Sequence, residues 1–136
     1  MAELIGGAGA AVTVNSVDLS DHITQASMDV DYDQISTTSF GDSVETLVSG
    51  IGRGTVNITF NQDYAASEVD ATLNGLVGTA TAVEMTPAAG AVSATNPKYS
   101  CSCLVTSYTP VSAEVNSLAS LSVSWPISGA ITRATS

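Results

Sequence analysis

The residues with chemistry to offer are few, and each set falls short of a reactive site. Asp29-Val30-Asp31-Tyr32-Asp33 opens like a calcium-binding loop. Gln34, however, stands where such a loop turns on glycine, and Phe40 where a closing glutamate would chelate. The three carboxylates are left with three readings: a solvated strand face, an irregular cation site, or an acidic lining. Cys101 and Cys103 lie two apart in a strand-like run, so both side chains point to one face and are poorly placed to bridge each other. Without a second ligand pair they read as small packing residues. His22 is the single histidine, and its sequence neighbourhood offers no orienting partner, so the sequence locates no Ser/His/Asp site. Gly50-Ile51-Gly52-Arg53-Gly54 lacks both dinucleotide-binding spacing and a phosphate-loop lysine, and reads as a turn between strands. The expectation is a protein that is not an enzyme, with no catalytic residue, no metal ligand set and no cofactor.

A chain of 136 residues with 44% hydrophobic content fits one domain. Aromatics reach only 5%, and Ala, Ser, Thr and Val dominate, which favours a thin, sheet-like core over a bulky helical one. Thirteen acids face three bases, for a net charge of −10, and the excess is one-sided. Residues 1–70 hold eleven acids and only Arg53, whereas Glu84 and Glu114 balance Lys98 and Arg133 in the remainder. Such a surface repels phosphate backbones and disfavours recognition of nucleic acid by phosphate neutralisation. Met-Ala-Glu-Leu-Ile-Gly-Gly carries an acid where a secretion signal needs bases, and no apolar run approaches bilayer length. A soluble product made in a cytoplasm, with no membrane segment, is expected.

The elements follow from periodicity. Residues 1–10 predict a mobile arm ordered only by a neighbour. Val12, Val14 and Val17 to Leu19 flank an Asn15-Ser16 turn. From Ser27 the pattern alternates, with Met28, Val30 and Tyr32 assigned to a buried face and Asp29, Asp31 and Asp33 to a solvent face. Strand character continues from Ile35 to Phe40, breaks at Gly41-Asp42 and resumes from Ser43 to Ser49. Thr55 to Asn61 then places Val56, Ile58 and Phe60 inward. A helix is predicted over Glu68 to Val77, capped by Ser67, ended by Gly78 and packing through Val69, Leu73, Leu76 and Val77. Thr79 to Met85, Lys98 to Tyr108 and Ser120 to Ile127 read as strands, the last with Leu121, Val123 and Trp125 inward. Pro87-Ala88-Ala89-Gly90-Ala91-Val92-Ser93-Ala94-Thr95-Asn96-Pro97 is too long for a tight turn and too weakly apolar to fix itself. It is the candidate inter-subunit loop. Residues 128–136 form a flexible polar tail.

Several segments carry a family likeness in their order. They are Val14-Asn15-Ser16-Val17-Asp18-Leu19-Ser20-Asp21-His22, Ser39-Phe40-Gly41-Asp42, Phe60-Asn61-Gln62-Asp63-Tyr64-Ala65-Ala66 and Ala71-Thr72-Leu73. Ser93-Ala94-Thr95-Asn96-Pro97-Lys98-Tyr99, Tyr108-Thr109-Pro110-Val111-Ser112 and Ser124-Trp125-Pro126-Ile127-Ser128-Gly129-Ala130 complete them. Together the chain resembles the small tail tube (major tail) proteins of long-tailed bacteriophages. The resemblance implies a mainly β fold, a β-sandwich or barrel with one flanking α-helix, over a single domain spanning 1–136. It also implies a structural virion protein that assembles in the bacterial cytoplasm into hexameric rings, stacked as a tube for genome delivery. Implied partners are further copies of the chain and the tape measure, terminator and tip proteins, with phage DNA passing unbound. Asp29, Asp31 and Asp33 would line the lumen. The alternative expectation is a capsid decoration protein or another small virion-surface binding module.

Overall fold

A strand of alternating Val12 and Val14 meets Asn15 and Ser16, both with positive φ (50° and 65°), and the chain reverses there in a tight hairpin. The computed structural model describes residues 10–88 and 91–136, so most of the expected N-terminal arm and two loop positions, Ala89 and Gly90, lie outside the described residues. The strands are β1 (Ala11–Val14), β2 (Val17–Asp18), β3 (Ile23–Ser36), β4 (Leu47–Asn61), β5 (Ala80–Thr86), β6 (Lys98–Leu104), β7 (Ser120–Ile127) and β8 (Thr132–Ala134). A 3-10 turn spans Ser20–His22, and one short helix, α1, spans Val69–Leu73. The protein is therefore mainly β. All eight strands join one antiparallel sheet in the order β2-β1-β5-β6-β7-β4-β3, with β8 added against β6.

Period-two alternation places the core on one face of this sheet. Val56, Ile58 and Phe60 of β4 stand beside Leu121, Val123 and Trp125 of β7 in direct register, and all six are buried. Cys101, Cys103 and Val83 extend the layer through β6 and β5, and Leu19, Val69 and Leu73 cap it. The two thiols are free, with their sulfurs 3.6 Å apart. Burial pushes both thiols up, that of Cys103 to about 12 with its neighbour Cys101 adding to the effect, so neither is a ready thiolate at neutral pH. Trp125 satisfies its buried indole N–H by donating to the Ser107 carbonyl at 2.9 Å. Tyr108 donates to Asp70 Oδ1 at 2.6 Å and accepts from Gln62 at 3.0 Å, tying the segment after β6 to α1.

Five sequence expectations are corrected here. The helix covers Val69–Leu73 rather than 68–77, because Asn74 and Gly75 are poor helix formers and the chain continues in turns. Ser67 does not cap it: Ser67 has φ 64°, and Glu68 is the N-cap without a side-chain cap bond. Val77, expected in the packing stripe, is about half exposed as a result. The strand expected to run to Tyr108 stops at Leu104, where Val105 turns its N–H to Thr79. The tail expected to be loose over 128–136 supplies β8, paired with Lys98, Tyr99 and Ser100.

Candidate assembly surface

The pairing of β3 with β4 runs from Ile23 opposite Phe60 out to Ser36 opposite Leu47. β7 supports β4 only from Gly54 onward, where Ile127 is its last partner. Beyond that point the chain is a two-stranded ribbon, which we call the arm. Its strand portion from Val30 to Ser36 is about 20 Å long at the usual strand rise. The sequence placed a turn at Gly50, Gly52 and Gly54, but all three lie inside β4. Gly52 is opposite Tyr32, and a Cβ there would stand 2.5 Å from the Tyr32 ring; at Gly54 it would meet Ile127 and the Asp29 carbonyl. These glycines make room for neighbours rather than reversing the chain. The reversal is at Ser39–Asp42, where Asp42 accepts from the Ser39 N–H at 2.7 Å and Gly41 takes φ 98°. Threonines brace the tip, with Thr37 and Thr46 hydroxyls 2.8 Å apart.

Directly paired residues share a face, so Met28, Val30 and Tyr32 lie on the side that continues the core, as the alternation predicts. Their burial does not follow. Met28 is half-buried, but Val30 and Tyr32 are 61% and 62% exposed, because the body ends before the arm does. They form one wall of a groove of about 830 Å³, faced by Met85, Tyr99 and Ile131. A register shift between Tyr32 and Gln34 then brings Ile35 opposite Val48. Phe40 at the tip is fully exposed, and Val44, Leu47, Val48 and Ile51 are all about half exposed or more.

Asp29, Asp31 and Asp33 line the other side of the ribbon, next to Asn57 and Arg53. Arg53 bonds Asp33 at 2.6 Å, so the face carries two uncompensated carboxylates rather than three. Among the described residues, no strand covers the outer edge of the fourteen-residue β3. The loop from Pro87 to Pro97 is tethered through Asn96 at its described residues. The Asn96 side-chain amide accepts from Ala88 N–H at 3.0 Å and donates to the Ala88 and Ala91 carbonyls, so one polar side chain supplies order that apolar area does not. Exposed apolar side chains, a free strand edge and a groove thus converge on one end of the molecule. No protein-family model matches the chain, and no curated protein matches it.

Proposed function

We propose that the chain is a structural subunit that assembles with copies of itself through the β3–β4 arm. The observation that carries this reading is the arm itself. A two-stranded ribbon is marginal in water, and this one leaves eight large apolar side chains of residues 30–51 exposed. Full burial of one such side chain contributes about 1.5–3 kcal/mol. Burying even half of that for all eight is of the same order as the roughly 4–15 kcal/mol that association costs in lost freedom. The uncovered edge of β3 offers main-chain hydrogen bonds to another strand in the same contact.

The tip of the arm, with Phe40, Val44, Leu47 and Val48, and the groove at its root are different surfaces of one chain, so a contact between them is head-to-tail. Such contacts close into rings by rotation, and stack without limit along an axis. That logic suits the tail tube proteins the sequence resembles. On this reading the subunits form hexameric rings stacked as the tail tube of a phage virion, and the sheet with α1 serves as the β-sandwich or barrel unit of the wall. The Pro87–Pro97 loop and the N-terminal residues supply further contacts between copies and to the tape measure, terminator and tip proteins. Asp29, Asp31 and Asp33 face the lumen, where a net acidic surface keeps DNA from adhering. Sedimentation and negative-stain microscopy across a concentration series test the proposal. Rings or tubes are expected, and a strict monomer that binds purified capsids would instead indicate a decoration protein.

A further inference from the structure

We propose that His22, Glu68 and Asp21 bind one divalent cation of the zinc type, with Asp63 beside them as a further carboxylate. The inference is independent of the assembly reading. The four side chains come from separate pieces of the fold: the 3-10 turn after β2, the loop after β4, and the N-cap of α1. Glu68 Oε2 lies 2.5 Å from His22 Nε2, and Oδ2 of Asp21 and of Asp63 each lie 3.6 Å from the same nitrogen. Donor atoms of Asp21, His22 and Glu68 are all within 4.8 Å of one another.

Hydrogen bonding alone leaves this arrangement incomplete. Nε2 carries one proton at most and gives it to Glu68, while 3.6 Å is too long for a hydrogen bond to either aspartate. It is close to the edge of a tetrahedron of ligands around zinc, about 3.4 Å for metal–ligand bonds near 2.1 Å, and on binding Nε2 would give up its proton and Glu68 would draw back from its 2.5 Å contact by about 1 Å. Asp63 is already aimed, since its Oδ1 accepts from Ala65 N–H at 2.8 Å and leaves Oδ2 toward the imidazole. Asp21 is mostly exposed, but His22 is 17% exposed and Glu68 and Asp63 about one third, so water compensates the charge at those three only in part.

The counter-charge is also missing. The chain has three lysine and arginine residues in all. Arg53 is bound to Asp33, Lys98 lies 3.6 Å from Glu84, and Arg133 donates to the Tyr99 hydroxyl. None reaches this cluster, so three carboxylates converge on one imidazole. A divalent ion with neutral His22 lowers the net charge of the group to −1. One imidazole with carboxylate oxygens suits zinc, cobalt or manganese better than calcium or magnesium, which prefer oxygen alone. Such an ion would cross-link the 3-10 turn to α1, and its binding energy would add to folding stability.

The test uses the full chain, stripped with chelator and titrated with Co²⁺, Zn²⁺ and Ca²⁺. One Co²⁺ per chain should bind with a visible d–d absorption that Zn²⁺ displaces, and Zn²⁺ should raise the melting temperature while Ca²⁺ does not. His22→Ala should weaken Co²⁺ binding at least about tenfold, Glu68→Gln should do likewise, and Asp31→Asn should leave it unchanged. Should His22→Ala fail to fold, the absorption of the unmodified chain and its displacement by Zn²⁺ remain decisive. Absence of d–d absorption and of any zinc-dependent stabilisation, or binding that survives His22→Ala in a folded variant, would overturn the site and leave an imidazole–carboxylate cluster.

Discussion

Tyr32 and Gly52 face each other across the arm, and the tyrosine ring occupies the space that a side chain at position 52 would need. The pair fixes how the ring lies against the ribbon and therefore the shape of the groove wall that Tyr32 helps to form. Gly52→Val should displace the ring, since the contact at 2.5 Å cannot persist. Tyr32 is mostly exposed, so the ring has room to swing, and the unfolding midpoint should move little, within about 0.5 kcal/mol. Self-association measured by sedimentation should nevertheless weaken strongly. An unchanged association constant would show that the groove wall takes no part in the contact.

Tyr108 gives a pH-dependent check on the packing behind α1. Burial, followed by its hydrogen bond to Asp70, raises the phenol from 10.0 to about 12. A raised folded value means that this contribution is fully present below the unfolded value and is lost as pH climbs through the folded one. Stability should thus fall between about pH 10 and pH 12. Tyr108→Phe should flatten that fall, and should cost about 0.5–1.5 kcal/mol at neutral pH by removing its partly buried hydrogen bonds with Asp70 and Gln62. Chemical denaturation of both proteins across that range supplies the comparison.

If the chain forms the proposed tube, the acidic side of the arm would face passing DNA. Replacing Asp29, Asp31 and Asp33 together with Lys converts a face of net charge −2 into one of +4 with Arg53 included. All three positions are exposed, so the fold should survive. Particles should still assemble, and genome release in an ejection assay should slow because the lining becomes adhesive. Normal release from fully assembled triple-Lys tubes would remove these carboxylates from the lumen.

How much of this was legible in the sequence depended on whether the deciding partner was local. Val56, Ile58 and Phe60, with Leu121, Val123 and Trp125, were readable as inward residues because a strand alternates with period two and their neighbours are polar. The same alternation correctly put Val30 and Tyr32 on one face, but alternation does not say what covers a face, and here the body stops short of them. The glycines of the arm looked like a turn because their role depends on Tyr32 and Ile127, which are distant in the chain. The grouping of His22 with Asp63 and Glu68 was invisible for the same reason: the residues are 41 and 46 positions apart and meet only once α1 packs beside the 3-10 turn. Asn96 could have been found, since an asparagine near the end of a Gly/Ala-rich loop is a common backbone tether.

Whether the arm joins copies of the chain is decided by sedimentation velocity of the unmodified chain beside a Phe40→Asp, Val44→Asp variant. Both side chains are solvent-exposed, so the variant should fold with an unchanged melting transition. The unmodified chain should shift to larger species as concentration rises, with rings or tubes visible by microscopy, while the variant stays monomeric. Equal assembly by the two proteins, or a monomer from both at every concentration, would contradict assembly through the arm.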